Sequence, residues 1–175
     1  MVDWNNRIQT IKGNIGENIV KNFLEDKGFI VYKPLTEGPH AFDLLAIKDK
    51  KQIIVAEIKS QAKRNYYNDT GVSLRHYEDY QGIKNQYNLP IFLFFVDEML
   101  KKIYGNWLSE LEKPYYVIVN NKKIQYPLTQ KGSTGHRVYF SLNTMITIKK
   151  ITDEDVQQLR KLSTRSYEYE YDDTS

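Results

Sequence analysis

Two acids and a lysine interrupt an otherwise apolar stretch of the chain. The segment at 41–60 reads AFDLLAIKDKKQIIVAEIKS, with Asp43 near its start and Glu57 and Lys59 near its end. Carboxylate oxygens are the hard ligands that Mg²⁺ prefers. A lysine beside them could hold an anionic substrate or orient a water molecule. The residue types are therefore those of a site that holds a divalent cation next to an anion.

The spacing of these residues predicts that they meet across a hairpin. When the segment is folded about Lys50, apolar residues face apolar residues and the two acids face each other, in the pairs Ile47 with Ile53, Leu45 with Val55, and Asp43 with Glu57. Side chains alternate along a strand, so Lys59 lies on the same side as Glu57. Like charges directly opposite each other destabilise a sheet, and burial increases the repulsion. A bound cation would remove this penalty, and the carbonyl of Ile58 could supply a further oxygen.

A purely structural interpretation of the same residues stays open. Asp43 could end a strand at the surface, and Glu57 could form an ion pair with Lys59. Such short patterns of acid and lysine also occur by chance.

A further acid precedes the hairpin. In GNIGEN, Glu17 lies at the margin of a helical apolar arc and could reach over the sheet toward the two acids. Alternatively it is an acid near a helix N-terminus, where the dipole favours negative charge. The preceding Gly13 and Gly16 indicate close approach of the helix backbone to a neighbour.

Taken together, these motifs resemble the PD-(D/E)XK nuclease superfamily, in its restriction-endonuclease-like and Holliday junction resolvase-like branches. The resemblance rests on GxxGE ending at Glu17, on the pair Phe42-Asp43, and on AEIKS at 56–60. It covers roughly residues 8–96. Phenylalanine replaces the proline of the family name before Asp43, and residues 97–175 match no pattern of the family.

The resemblance implies metal-dependent hydrolysis of phosphodiester bonds. Asp43, Glu57 and the Ile58 carbonyl would hold Mg²⁺, with Mn²⁺ as a substitute, and Lys59 would position a water and stabilise developing charge. Glu17 would bind a second ion or its water. The expected partner is nucleic acid, DNA rather than RNA, and many members of the family act as homodimers.

Basic and aromatic residues follow Lys59 directly in the sequence. Lys63, Arg64 and Arg75 alternate with tyrosines, a composition that suits phosphate contact and base stacking. An ordinary solvated loop is the alternative. In the family, the next helix often carries a glutamine or tyrosine near the site, which here corresponds to Tyr77 and Gln81.

The elements that would position these residues are predicted from hydrophobic periodicity. The pattern predicts a helix at 7–27, strands at 29–35, 42–47 and 53–59, a long loop or extended segment at 60–75, a helix at 76–88 and a buried strand at 91–97. Beyond these it predicts helical spacing broken at Gly105 in 98–111, strands at 115–120, 122–128 and 136–142, and a closing helix within 151–163 with Thr152 as N-cap. The predicted class is α/β, with a restriction-endonuclease-like core, a mixed central sheet flanked by helices, and a β-rich C-terminal extension.

Length and composition limit the remaining choices. The 175 residues suit a single domain at 1–163, with a core at 8–96 and an extension at 97–163, followed by an acidic and disordered tail at 164–175. The chain has no cysteine, which excludes disulfides and a thiolate zinc site, and its net charge of +3 does not by itself indicate nucleic acid. With no long apolar run and no secretory signal at the start, a cytoplasmic protein that does not contact membranes is expected.

Three functions are compatible with the sequence. The first is a metal-dependent DNA endonuclease of repair, recombination or restriction, or the corresponding nuclease directed at RNA. The second is a non-catalytic nucleic-acid-binding module on the same fold. The third is a structural or partner-binding domain in which the acids lie far apart.

Overall fold

A computed structural model of the chain describes residues 7–34, 42–49, 51–132 and 135–163. Its helices are α1 (Ile8–Asp26), α2 (Leu74–Tyr87), α3 (Leu108–Leu111) and α4 (Asp153–Lys161). Its strands are β1 (Ile30–Tyr32), β2 (Leu44–Lys48), β3 (Gln52–Ser60), β4 (Asp69–Ser73), β5 (Ile91–Asp97), β6 (Lys102–Trp107), β7 (Tyr115–Val119), β8 (Lys122–Tyr126), β9 (Leu128–Gly132), β10 (Gly135–Ser141) and β11 (Ile146–Lys150). The predicted acidic tail lies outside the described residues.

A mixed sheet of six strands forms the centre of the molecule. Its order is β1-β2-β3-β5-β6-β11, in which β3 and β5 are parallel and the other neighbours antiparallel. A second sheet has the order β4-β10-β9, and β7 and β8 form a separate two-stranded sheet. The predicted α/β class with a mixed central sheet flanked by helices is confirmed.

Each face of the central sheet has its own hydrophobic core. On one face, Val20 and Leu24 of α1 and Val156 of α4 pack with Ala56 and Ile58 of β3. On the other face, α2, α3 and β10 cover Val55, Leu93 and Phe95. Because β3 lies between the two cores, its alternate side chains are buried in opposite directions.

The hairpin of β2 and β3 has the predicted register. Ile47 pairs with Ile53 and Leu45 with Val55, and the ladder ends at Leu44 with Ala56. Asp43 lies one residue before the ladder, in a bend. The acid therefore stands at the end of the sheet, where its carboxylate is less constrained than in a full strand pair.

The ends of two helices agree with the local sequence signals. Gly28, which follows α1, has φ +83°, a conformation that glycine adopts without steric cost. The Thr152 hydroxyl accepts a hydrogen bond from the Asp155 amide at 3.1 Å, as expected for the N-cap of α4.

Three predictions of secondary structure were wrong in part. The segment 60–75, predicted as a long loop or extended segment, contains β4, which pairs with β10 as part of a sheet. The segment 98–111, predicted from its helical spacing, instead forms β6 followed by the short α3. Gly105 allows β6 to lie close to β5, because a Cβ at this position would lie 2.0 Å from the carbonyl oxygen of Leu93. The predicted strand 122–128 divides into β8 and β9 at Pro127, which has no amide hydrogen for a ladder.

A further strand, β11, was not predicted. Its residues, ITIKK, are too few and too exposed to give a strong pattern. Both β6 and β11 extend the central sheet, while β4 from the N-terminal half joins β9 and β10. The core and the C-terminal extension thus share strands in both sheets. In the described part of the chain, no helix combines the length and the apolar character needed to cross a membrane.

Candidate active site

A cleft of about 790 Å³ brings together residues from both halves of the chain. One side is formed by α1 and the end of β3, and the other by β4 and β10. Its lining includes five of the predicted site residues, Glu17, Asp43, Ile58, Lys59 and Arg64. Glu57 does not line the cleft and lies beneath it, 5% exposed.

Asp43 is held at the end of the hairpin by the backbone of β3. Its Oδ2 accepts a hydrogen bond from the Ile58 amide at 2.7 Å. The pKa of Asp43 is raised to about 7, first by burial and then by the nearby charge of Glu57, while the Lys59 charge and the Ile58 hydrogen bond act to lower it. The predicted proximity of the two carboxylates is therefore present, together with its electrostatic penalty.

Glu57 is fixed through one of its two oxygens. Oε1 accepts hydrogen bonds from the Lys59 ammonium at 2.6 Å and from the Tyr80 hydroxyl at 2.5 Å. Burial, followed by the charge of Glu57, raises the pKa of Tyr80, so its phenol stays a donor. The ion pair between Glu57 and Lys59 that the structural interpretation expected thus exists within the cluster.

Glu17 reaches the same cleft from α1. Its Oε2 forms an ion pair with the ammonium of Lys33, which follows β1, at 2.6 Å. Its charge also contributes to raising the pKa of Asp43. The approach of α1 depends on Gly16, since a Cβ there would lie 1.8 Å from the Ser60 hydroxyl oxygen, whereas Gly13 faces open space. Of the two predicted glycine contacts, only that of Gly16 is close.

The donor set suits a hard divalent cation, although it is small. Among the described residues, no three or more His, Cys, Asp or Glu side chains converge as a metal cluster. The available donors are the carboxylates of Asp43 and Glu57 with the carbonyl of Ile58. A cation beside Asp43 and Glu57 would relieve the repulsion that, after burial, raises the pKa of Asp43. The residues therefore fit Mg²⁺ or Mn²⁺ by charge and ligand type.

The predicted basic residues Lys63 and Arg64 are engaged within the protein. The Lys63 amide donates to Asp97 at 2.8 Å and its ammonium to the Arg64 carbonyl at 3.2 Å. The Arg64 guanidinium donates two hydrogen bonds to Asp69, at 2.6 and 2.5 Å, and stacks between two tyrosine rings, Tyr67 and Tyr139. Arg64 lines the cleft, but its charge is matched by a fully buried carboxylate.

Three other predicted nucleic-acid contacts lie outside the cleft lining. Arg75 is exposed at the start of α2. The Tyr77 hydroxyl and the Gln81 amide both donate to Glu112, which follows α3, at 3.3 and 3.1 Å. Tyr77 and Gln81 therefore join α2 to α3 rather than facing Asp43.

Several residues of the cluster were missed by sequence reasoning. Tyr80 belongs to a stripe of α2 at spacing three, with Leu74, Tyr77 and Ile83, and this periodicity would have placed it in the core. Arg137 and Tyr139 line the cleft from β10, far along the sequence. Lys12 of α1 and Glu98, which directly follows β5, form an ion pair of 2.5 Å at the cleft. No local pattern connects these distant segments.

Comparison with known proteins leaves the family open. The chain matches no protein-family model, and no curated protein matches it in sequence. Among solved structures, it is similar to a Holliday junction resolvase of the archaeal hyperthermophile Archaeoglobus fulgidus, at 13% identity and a TM-score of 0.44, over 65% of this chain and 86% of that chain. A similarity of this degree carries no argument about function. The functional interpretation rests instead on the residues of the cleft.

Proposed function

We propose that the protein is a metal-dependent nuclease that hydrolyses DNA phosphodiester bonds on a restriction-endonuclease-like fold. The observation that carries this proposal is the pair of carboxylates at the end of the β2–β3 hairpin, with Glu57 buried and Asp43 half-buried at the cleft, and with Lys59 beside them. Burial and Glu57 together keep the pKa of Asp43 near 7, which is costly for a fold without a counter-ion. A catalytic role would account for this arrangement.

The proposed cation site consists of Asp43, Glu57 and the Ile58 carbonyl. When bound, Mg²⁺ supplies Lewis acidity toward a phosphate oxygen, and Mn²⁺ can substitute for it. Asp43 and Glu57 must be ionised to bind it, so binding releases the proton that Asp43 holds near neutral pH.

Lys59 is the proposed charge-stabilising residue. Its ammonium donates to Glu57, and its side chain is 23% exposed toward the cleft. In the reaction, a water oxygen attacks phosphorus and the P–O bond to one sugar oxygen breaks, with a proton passing to that leaving oxygen. Lys59 would orient the water and stabilise the negative charge on the phosphate. Glu17 would hold a second cation or a water at the edge of the site.

The form of the active protein is part of the proposal. Cutting both strands of a duplex takes two active sites, which a homodimer would provide. RNA remains the alternative substrate.

The test is cleavage of supercoiled plasmid, single-stranded DNA, a four-way junction and RNA, each with Mg²⁺, Mn²⁺ or EDTA. The expected result is metal-dependent cutting that is lost in both Asp43→Ala and Lys59→Ala. Lys122→Ala, which removes an exposed lysine on β8, is the matched control and should cut like the wild type. Thermal melts of each variant would separate loss of chemistry from loss of fold.

The substrate that is cut best would decide between DNA and RNA and between duplex and junction. Cutting that persists in Asp43→Ala and Lys59→Ala would contradict the proposed site. If no substrate is cut but DNA is bound without metal, and Asp43→Ala binds it equally, the protein is a nucleic-acid-binding module.

A further inference from the structure

The cleft has a second wall that the proposed catalytic residues do not explain. Strands β4 and β10 of the second sheet face the end of β3 across it, and β10 contributes Arg137 and Tyr139 to the lining. These residues lie in the C-terminal half of the chain, for which the sequence indicated no role. Their side chains extend the cleft beyond the cluster of Asp43 and Lys59.

The cations of the cleft differ in how their charges are balanced. Lys12 pairs with Glu98 at 2.5 Å, Lys59 with Glu57 at 2.6 Å, and Arg64 with Asp69 at 2.5 Å. Arg137 instead donates to neutral oxygens, at 3.1 Å to the side-chain carbonyl of Gln61 and at 2.7 Å to the backbone carbonyl of Gly71. Among the described residues, no carboxylate forms an ion pair with Arg137. Its charge is therefore available to an anion from outside the protein.

The guanidinium of Arg137 is also held in place. Both of its hydrogen bonds leave from Nη2, so Nε and Nη1 keep donors for a ligand. Gln61, which accepts one of them, is itself fixed by bonds from its amide to Thr70 at 2.9 Å and to Gly71 at 2.6 Å. An arginine positioned in this way loses little side-chain entropy when it binds a planar, doubly accepting anion such as phosphate.

We propose that Arg137 binds a backbone phosphate of the DNA strand, one other than the phosphate that is cleaved, and that the second sheet is the substrate-binding wall of the cleft. The identity of the anion as DNA rests on the proposed function. The binding itself follows from the uncompensated charge and its place in the lining.

The test measures DNA binding without catalysis. Fluorescence anisotropy with labelled single-stranded, duplex and four-way-junction DNA, and with RNA as comparison, is recorded in EDTA over a series of salt concentrations. Arg137→Gln should bind DNA about tenfold more weakly, because one charge-assisted contact is lost. The slope of the logarithm of the association constant against the logarithm of salt concentration is negative, and it should become shallower by about 0.9 for duplex DNA. Lys122→Gln, which removes one positive charge from an exposed position on β8, outside the second sheet, should leave both quantities near the wild-type values.

A second measurement covers the case in which Arg137→Gln does not fold. Phenylglyoxal modifies exposed arginines of the unaltered protein, and mass spectrometry reports each site. DNA should protect Arg137 from modification. Arg137→Lys, which keeps the charge but not the two-pronged donor, should bind with intermediate affinity.

The outcomes separate this inference from the proposed function. Unchanged binding by Arg137→Gln, or equal modification of Arg137 with and without DNA, overturns the inference even if the wild type cuts DNA. If Arg137→Gln weakens binding but the wild type cuts no substrate, the result supports the second sheet as the DNA-binding wall and contradicts the proposed nuclease activity. A preference for RNA over DNA in every arm overturns the DNA assignment, and no binding of nucleic acid by the wild type overturns both proposals.

Discussion

The hydroxyl of Tyr80 and the ammonium of Lys59 donate to the same oxygen of Glu57, at 2.5 and 2.6 Å. Two donors on one oxygen hold the carboxylate in a fixed direction and partly satisfy its charge inside the core. Tyr80 is not itself a lining residue of the cleft, so the role we expect for it is to position Glu57. Residues that orient a metal ligand in this way influence metal affinity without binding the metal.

Removing the Tyr80 hydroxyl should weaken metal use more than it harms the fold. Tyr80→Phe is expected to raise the Mg²⁺ concentration needed for half-maximal cleavage by about tenfold or more, and to lower stability by about 1.5 to 3 kcal/mol. A Mg²⁺ titration of cleavage and a urea melt measure the two effects. Tyr77→Phe, which removes a hydroxyl from the same helix but one bonded to Glu112, should leave the Mg²⁺ requirement unchanged. A shift of equal size in both variants would contradict the positioning role.

The pKa of Asp43 predicts how the metal-free protein responds to pH. Since the folded-state pKa of about 7 lies above the unfolded value of 3.8, the folded protein binds more protons between them and loses stability as pH rises through this range. Asp43→Asn removes this loss. In EDTA its stability relative to the wild type should rise across the range, by up to about 4 kcal/mol. At a pH above this range, adding Mg²⁺ should stabilise the wild type and reduce the difference in stability between it and Asp43→Asn.

Thermal melts of both proteins over a pH series, with EDTA or with Mg²⁺, provide the measurement. A difference in stability that stays constant with pH would show that burial does not raise the pKa of Asp43.

Strand β3 and helix α1 together determine the shape of the site. On β3, Glu57 and Lys59 face α2, while Ile58 and Ser60 face α1, so one strand carries the acid, the lysine and the surface that receives the helix. Helix α1 then places Glu17 at the cleft only because Gly16 allows close contact with Ser60. The Ser60 hydroxyl is buried there without a hydrogen-bond partner among the described residues.

The two glycines of α1 should respond in opposite ways to alanine. Gly13→Ala has open space for its methyl group and should stabilise the helix by about 0.5 to 1 kcal/mol. Gly16→Ala would meet the Ser60 oxygen at 1.8 Å and should destabilise the protein by about 1 to 3 kcal/mol, with a loss of cleavage as Glu17 moves. Urea denaturation of both variants measures the change. Combining Gly16→Ala with Ser60→Ala should recover part of the loss, and failure to do so would place the constraint elsewhere.

Across the whole molecule, a buried polar network joins the second sheet to the first. Asp69 of β4 is fully buried and accepts hydrogen bonds from Arg64, which follows β3, and from the Tyr126 hydroxyl of β8 at 2.7 Å. The hydrogen bonds of this network connect the two walls of the cleft. The position of Arg137 relative to Lys59 therefore depends on residues that touch neither.

Breaking this network should destabilise the protein as a unit. Asp69→Asn leaves the Arg64 charge without its buried partner and should cost about 3 kcal/mol. Tyr126→Phe removes only one bond to a charged group and should cost about 1.5 kcal/mol. Urea denaturation should show a lower midpoint with an unchanged slope for both. Equal, small shifts in the two variants would contradict a coupling of the sheets through Asp69.

Local pattern in the sequence was sufficient for α1, α2, β5 and the β2–β3 hairpin. Their apolar residues recur with a helical or strand period, and matching apolar pairs alone set the register that brings Asp43 to Glu57. The same reasoning failed for β4, because its polar residues Asp69 and Thr70 are buried by partners from elsewhere in the chain. It failed for β11 because this strand pairs with the distant β6. It failed for β6 because the segment has helical spacing, although the strand forms a hairpin with the preceding β5.

The acids and lysine of the site, the hairpin that carries them and the mixed α/β class follow from the order of residues, because neighbours along the chain decide periodicity and short-range register. The cleft does not. Only after the two sheets have packed does Tyr80 reach Glu57, and only then is it decided that Arg137 pairs with no carboxylate of the described residues. Which charges are neutralised and which stay available is a property of three-dimensional contact, and contacts between residues so far apart in the chain leave no periodic signal in the sequence.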